Sequence, residues 1–119
     1  MVVIKRSQHL DANPSGAVTL VSIEGDVTIA TVPRLVDGLN REVTSDGGRT
    51  IVVDLDSVGV LDDTGLGVLL GFASRVRATG RSVAIVASVD RLNRRLTETR
   101  LDRVVPVAPS VAEAVRRAS

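Results

Sequence analysis

The chain has 119 residues, of which 44% are hydrophobic and 24% are charged, and its formal net charge is +1. This length fits one domain with a sizeable core, and so small a net charge gives no support to generic nucleic-acid binding. The single aromatic residue, Phe72, excludes base-stacking platforms, and the lack of cysteine excludes disulfides, thiolate metal sites and cysteine nucleophiles. We expect one cytoplasmic domain over residues 1–119, because no apolar run reaches the length of a signal peptide core or a membrane span.

The first third of the chain is predicted to form two strands and a helix. Strands are expected at residues 2–5 and 17–24, paired as neighbours, and residues 25–26 break the second one. His9, the only imidazole, lies in a polar segment typical of a loop, so it is interpreted as a solvated residue. A helix is predicted to begin at Thr31, with a hydroxyl cap and an early proline, and to close at residues 46–48. Its expected buried stripe is Leu35, Leu39 and Val43.

The central third is predicted to contain a buried strand followed directly by a helix. A strand is predicted at residues 51–55, because residues 50–53 are all β-branched and residue 55 is apolar, a pattern typical of a strand covered on both faces. A helix begins near Asp63 or Thr64, so Thr64 lies in its first turn. The apolar stripe expected to face the sheet is Leu66, Leu69, Leu70, Ala73 and Val76.

The last third continues the alternation of strands and helices. A strand is expected at residues 82–86, a basic amphipathic helix at 89–99 with Leu92 and Leu96 inward, and a short strand near 104–105. A final helix over residues 110–117 has Ser110 as cap, with Glu113 completing a capping box and Val111, Ala114 and Val115 inward. This alternation predicts an α/β domain with a mixed sheet of four to five strands and helices mainly on one face.

The segment Asp62-Asp63-Thr64-Gly65 places a hydroxyl beside two carboxylates where a strand gives way to a helix. Helix capping explains any one of these residues, because Asp and Thr suit helix N-termini. It explains less well why two acids, a hydroxyl and two glycines occupy six positions. A phosphate on Thr64 would add about −1.5 to −2 charges and three acceptor oxygens, enough to expel a docked partner without unfolding the domain. We therefore interpret the segment as a switch without catalytic residues of its own.

A docking surface is predicted on the outer face of the same helix. Val68, Gly71, Phe72 and Arg75 face away from the expected core stripe, so Phe72 would be partly exposed and could anchor a partner. Alternatively, a neighbouring helix or loop covers Phe72. The basic cluster of Arg91, Arg94, Arg95, Arg100 and Arg103 and the terminal pair Arg116 and Arg117 are interpreted as solvated helix residues and are assigned no site.

The run from Asp62 to Gly71 resembles the phosphorylation-site segment of bacterial anti-sigma factor antagonists, the single-domain members of the STAS family. The resemblance continues through residues 25–28, 51–55 and 101–107. It implies that Thr64 is the phosphoacceptor and that the partner is an anti-sigma factor with kinase activity, which releases a sigma factor while the unmodified chain holds it. Phosphorylation of Thr64 would break this complex, and a phosphatase would restore it. The resemblance implies that ATP and Mg²⁺ belong to the partner and that this chain binds no cofactor. We therefore expect a protein that is not an enzyme, that binds neither nucleic acid nor a membrane, and that is a monomer or weak dimer.

The predicted partner-binding residues combine the motif that carries this resemblance with the outer face of the helix. Asp63 stands where the family usually has a small hydroxyl residue, Thr28 where it often has an acid, and Arg100 where a helix-ending glycine is common. The first two departures could alter partner choice. The full predicted partner-binding set is Asp26, Thr28, Asp62, Asp63, Thr64, Gly65, Gly67, Val68, Gly71, Phe72 and Arg75.

Two rival functions are kept. In the first, Asp54, Asp56, Asp62 and Asp63 gather near a strand end to hold Mg²⁺ in a receiver-like phosphoacceptor, although the chain is short of one βα unit and has no lysine late in its sequence. In the second, the domain is a scaffolding subunit of a larger stress-signalling or lipid-transport complex.

Overall fold

The structure is a computed structural model that describes residues 2–9, 17–44 and 49–119. Its strands are β1 (Val2–His9), β2 (Val18–Val27), β3 (Thr50–Asp54), β4 (Val58–Leu61), β5 (Ser82–Val86) and β6 (Val107–Ala108). Its helices are α1 (Val32–Thr44), α2 (Asp63–Ala78), α3 (Asp90–Glu98), α4 (Leu101–Val104) and α5 (Val111–Arg117). The predicted helix closure at residues 46–48 lies outside the described residues.

The strands of the described chain form one mixed sheet in the order β1-β2-β3-β5-β6. β1 is antiparallel to β2, and the remaining pairs are parallel. β2 is long enough to pair with two strands along one edge: residues 18–22 pair with β3, and the end of β2 pairs with β4. The mixed α/β sheet is therefore confirmed, with six strands where four to five were predicted.

Side-chain alternation along the strands divides the core between the two faces of the sheet. Ile51 and Val53 of β3 belong to the larger apolar cluster, which α1, α2, α3 and α4 cover, whereas Val52 between them belongs to the smaller cluster under α5. Successive side chains of a strand point to opposite faces, so the two clusters lie on opposite sides of the sheet. Four of the five described helices thus share one face, as predicted.

β4 was missed by sequence analysis because it is short. Val58–Leu61 contains a glycine and follows β3 after a tight turn, in which the Val58 N–H donates to the Leu55 carbonyl at 3.0 Å. Four residues carry too little alternation to be recognised as a strand. Gly25, predicted to end β2, instead lies within it at φ 98°, where the register between β2 and β4 shifts. A glycine tolerates that backbone conformation, so the strand bends and continues.

Two further strand predictions were wrong in position. Residues 7–9 extend β1 and pair with residues 18–20, so His9 ends a strand instead of lying in a loop. The strand expected near residues 104–105 is found at Val107–Ala108, and Leu101–Val104 forms a helical turn instead. Leu101 and Val105 are buried there at the spacing of one helical turn, which competes with their β propensity.

Ser110 caps α5 as predicted, since its Oγ accepts from the Glu113 N–H at 3.2 Å. The predicted capping box is only half formed: the Glu113 carboxylate pairs with Arg116 and Arg117 of its own helix. Hydrogen bonding from Arg116, followed by its positive charge, lowers the pKa of Glu113 from its ordinary value.

Arg100, between α3 and α4, adopts φ 63° where a glycine would be unstrained. No described helix is long and apolar enough to cross a membrane.

Candidate functional site

The first turn of α2 lies at the carboxyl ends of β2 and β4. The Asp62 N–H donates to the Val27 carbonyl at 3.0 Å, which joins the start of the helix to the end of β2. Gly65 and Leu66 are buried beneath this junction, and Asp63 and Thr64 are exposed above it. The prediction that Thr64 lies in the first helical turn is confirmed.

Asp62 is the N-cap of α2 and also holds the loop before α1. Its Oδ1 accepts from the Gly65 N–H at 2.9 Å, and its Oδ2 accepts from the Ile29 N–H at 3.0 Å. Both carboxylate oxygens are therefore engaged by backbone donors, which is the capping role that its residue type favours. Through the second of these bonds, Asp62 joins the start of α2 to the loop that carries Ile29.

Asp26 and Thr28 form hydrogen bonds at the end of β2, Asp26 through its carboxylate and Thr28 through its backbone. The Asp26 Oδ1 accepts from the Val60 N–H at 2.9 Å, and a Cβ at Gly59 would lie only 2.5 Å from that oxygen. Thr28 is half-buried, and its N–H donates to the Thr31 Oγ1 at 3.0 Å. Thr31 therefore closes the turn after β2 with its side chain. The bond from Val60 to Asp26 holds the ends of β2 and β4 together near the start of α2.

Asp63 forms an ion pair with Arg95 of α3 that sequence analysis did not anticipate. The Arg95 Nη2 lies 2.6 Å from the Asp63 Oδ1, and the Arg95 Nε donates to the Leu61 carbonyl at 3.0 Å. Arg91, one turn earlier on α3, donates to the Gly59 carbonyl. Two members of the basic cluster thus bind the β4 backbone. Only contact between segments distant in sequence reveals this, so no local pattern could have shown it.

Four predicted partner-binding residues share the solvent-facing side of α2. Thr64, Gly67 and Arg75 are exposed and Gly71 is half-buried, at spacings of three, four and four residues that place them on one helix face. A Cβ at Gly71 would lie 3.5 Å from the Arg75 Nη1, so the guanidinium lies over this glycine. The face offers a hydroxyl at one end, a cation at the other and little bulk between.

The prediction that Phe72 is partly exposed was wrong. Its side chain is 1% exposed and belongs to the main core cluster, and Val68 packs against the same cluster. Gly65 is buried as well, because α2 approaches β2 so closely there that a Cβ would lie 2.4 Å from the Val27 Cγ1. Phe72 therefore packs the helix onto the sheet, as the alternative reading allowed, and it offers no anchor to a partner.

Exposed apolar side chains occur instead on the neighbouring loop and strand. Ile29 is 74% exposed and Val60 is 51% exposed, and their backbone N–H groups bind Asp62 and Asp26 respectively. An isoleucine in the polar turn before α1 was the available sequence signal. It was overlooked because single apolar residues in turns are common on protein surfaces.

The two glycines that flank Leu66 should respond in opposite directions to alanine. We expect Gly65→Ala to lower the free energy of unfolding by about 1–3 kcal/mol, because its methyl group would overlap Val27. Gly67→Ala has open space around its Cβ and should raise the free energy of unfolding by up to about 1 kcal/mol, the helix propensity difference. Urea unfolding of both variants measures this. Equal changes in the two would contradict the close approach of α2 to β2.

The acidic residues do not assemble a magnesium site. The Asp56 carboxylate accepts from the Ser88 N–H and Oγ, both at 2.7 Å, and the Asp54 Oδ1 accepts from the Asp56 N–H at 2.9 Å. Within residues 2–9, 17–44 and 49–119, no three acidic or histidine side chains are grouped to hold a metal ion. The receiver-like interpretation therefore has no geometric support.

Comparison with known proteins identifies the family. The STAS domain profile matches residues 9–114. An anti-sigma-B factor antagonist of Staphylococcus aureus is 31% identical over 87 residues, which cover 73% of this chain and 80% of that protein. A crystal structure of an anti-sigma factor antagonist from Mycobacterium paratuberculosis superposes with a TM-score of 0.76 at 24% identity, covering 96% of this chain and 92% of the other. The Bacillus cell fate determinant SpoIIAA in its phosphorylated form has a TM-score of 0.62 at 13% identity, covering 97% and 98%.

Proposed function

The chain belongs to the STAS domain family as an anti-sigma factor antagonist, and we propose that it binds an anti-sigma factor with serine/threonine kinase activity and is released by phosphorylation of Thr64. In the unmodified state it holds the kinase away from a sigma factor. The kinase binds ATP and Mg²⁺ and transfers the phosphoryl group to Thr64, and a phosphatase removes it, which returns the chain to its binding state. This exchange takes place in the cytoplasm.

The observation that carries the proposal is the position of Thr64. It is an exposed hydroxyl residue in the first turn of a 16-residue helix, whose preceding cap is fixed by two backbone hydrogen bonds. A helix N-terminus tolerates added negative charge, so a phosphate at Thr64 would not unfold α2. The modification would change the surface while leaving the fold intact, which a reversible switch requires.

We assign the contact with the kinase to a docking surface that differs from the predicted one and consists of Ile29, Val60, Thr64, Gly67 and Arg75. Ile29 and Val60 provide exposed apolar area on the segments whose N–H groups bind Asp62 and Asp26, and Gly67 leaves open space on the helix. Apolar side chains near the centre of a contact, surrounded by polar groups, are the usual energetic anchors of protein interfaces. A phosphate placed among them would have to be desolvated on binding, at high cost.

Incubation with the kinase encoded in the same genome and with ATP should add one phosphate to this chain, at Thr64. Mass spectrometry of the intact protein and its peptides measures this. Thr64→Ala should abolish the addition, whereas Thr97→Ala, which removes an exposed threonine of α3, should leave it unchanged. Thr64→Glu should weaken the complex with the kinase, because it places a carboxylate on the docking surface.

Undiminished labelling of Thr64→Ala would refute the assignment of the acceptor. The scaffolding alternative predicts a different result: a stable large complex in cells, whose size by gel filtration does not change with Thr64→Ala or Thr64→Glu.

A further inference from the structure

We propose that Arg95 is a specificity-determining residue that neutralises Asp63, so that negative charge at the Thr64 end of the docking surface depends on the phosphorylation state of Thr64 alone. This inference rests on the proposed function and concerns its regulation. It follows from which groups form hydrogen bonds with the carboxylates around the start of α2.

The three carboxylates around the start of α2 are engaged in different ways. Asp26 and Asp62 accept hydrogen bonds from the backbone N–H groups of Val60, Gly65 and Ile29. Asp63 is different, because its side chain is 89% exposed and its hydrogen-bonding partner is the Arg95 side chain. Its charge therefore reaches a docked partner unless Arg95 offsets it.

Arg95 is held in position for this pairing by a second hydrogen bond. Its Nε donates to the Leu61 carbonyl at 3.0 Å while its Nη2 contacts Asp63, and its side chain is 35% exposed. A guanidinium can make both bonds from one rigid plane, so less conformational entropy is lost when it pairs. The pair also connects α3 to the first turn of α2, directly beside the phosphoacceptor.

The size of the charges shows why neutralisation matters. A phosphate on Thr64 adds about −1.5 to −2 charges. An unpaired Asp63 would already place one negative charge on the adjacent residue, about half of that signal. A kinase must also bring the γ-phosphate of ATP to the Thr64 hydroxyl, and an unpaired carboxylate next to it would oppose that approach. With Arg95 in place, the unmodified surface carries little of this repulsion.

The test is a cycle of charge substitutions measured against the ATP-bound kinase from the same genome. Arg95→Gln should weaken binding of the unmodified chain about five- to tenfold, the scale of one exposed charge interaction. The double variant Arg95→Gln with Asp63→Ser should regain wild-type affinity within about twofold, because the unpaired carboxylate is gone. Arg94→Gln, the same charge change one residue earlier on α3, should have less than about a twofold effect.

Rescue by Asp63→Ser separates a charge effect from damage to α3, because the serine does not restore the hydrogen bond to Leu61. Unchanged or tighter binding by Arg95→Gln would overturn the inference, as would equal weakening by Arg94→Gln or failure of the double variant to recover. If the wild-type chain itself does not bind the kinase, the proposed function fails instead, so the two failures are distinguishable.

Discussion

Phe72→Ala is expected to lower the free energy of unfolding by about 3–5 kcal/mol, the loss typical of truncating a buried phenylalanine. Its ring is 1% exposed in the cluster that joins α2 to the sheet. Whole domains are stabilised by only about 5–15 kcal/mol, so this variant loses a large fraction of its stability. Urea unfolding followed by circular dichroism measures the change as a shift in midpoint.

A milder substitution separates packing from docking. Phe72→Leu retains most of the apolar volume and should remain folded with a smaller loss of stability. Its affinity for the kinase should equal that of the wild-type chain, because Phe72 does not reach the surface. Arg75→Ala, on the exposed face of the same helix, should leave stability within about 0.5 kcal/mol of the wild type. A folded Phe72→Leu variant that no longer binds would restore Phe72 to the docking surface.

The misplacement of Phe72 shows what the sequence of α2 can and cannot determine. Apolar residues occupy most of its circumference, so several stripes satisfy a helical period. The predicted stripe included Leu70, which is half-buried, and left out Phe72, which is buried. Compared with the predicted stripe, the buried face of α2 is rotated away from Leu70 and toward Gly65 and Phe72. Gly65 permits this because it lets the first turn lie against Val27. That close contact is a tertiary fact, which no local pattern contains.

Where one signal dominated, prediction from sequence succeeded. β3 and β5 are apolar runs buried on both faces, and α3 has a polar outer face that leaves only Leu92 and Leu96 to turn inward. Thr64 was placed correctly because the apolar residues that recur at helical spacing begin at Leu66, just after it. The Asp63–Arg95 pair joins residues 32 positions apart, and the short strand β4 is stabilised by pairing with β2. Neither could be read from neighbouring residues.

Replacing both Ile29 and Val60 with serine is expected to weaken binding of the kinase by roughly 700-fold. Exposed apolar anchors at the centre of an interface each contribute about 2 kcal/mol, and each 1.4 kcal/mol is tenfold in affinity. The two residues are 74% and 51% exposed, so the free chain should lose less than about 0.5 kcal/mol of stability on their substitution. Serine retains the backbone N–H groups that bind Asp62 and Asp26.

The chain offers a matched control for one half of this change. Val104 of α4 is 47% exposed, close to the 51% of Val60, and lies outside the docking surface. Val60→Ser should weaken binding by roughly 25-fold, and Val104→Ser should leave it unchanged. Titration calorimetry with the purified kinase measures both, and urea unfolding shows whether either variant is destabilised. If Val104→Ser weakens binding as much as Val60→Ser, the kinase docks elsewhere.

We expect substitutions of Ile29 and Val60 to lower affinity and leave stability unchanged. Substitution of Phe72 by leucine should lower stability and leave affinity unchanged. Together these results would separate docking residues from core residues.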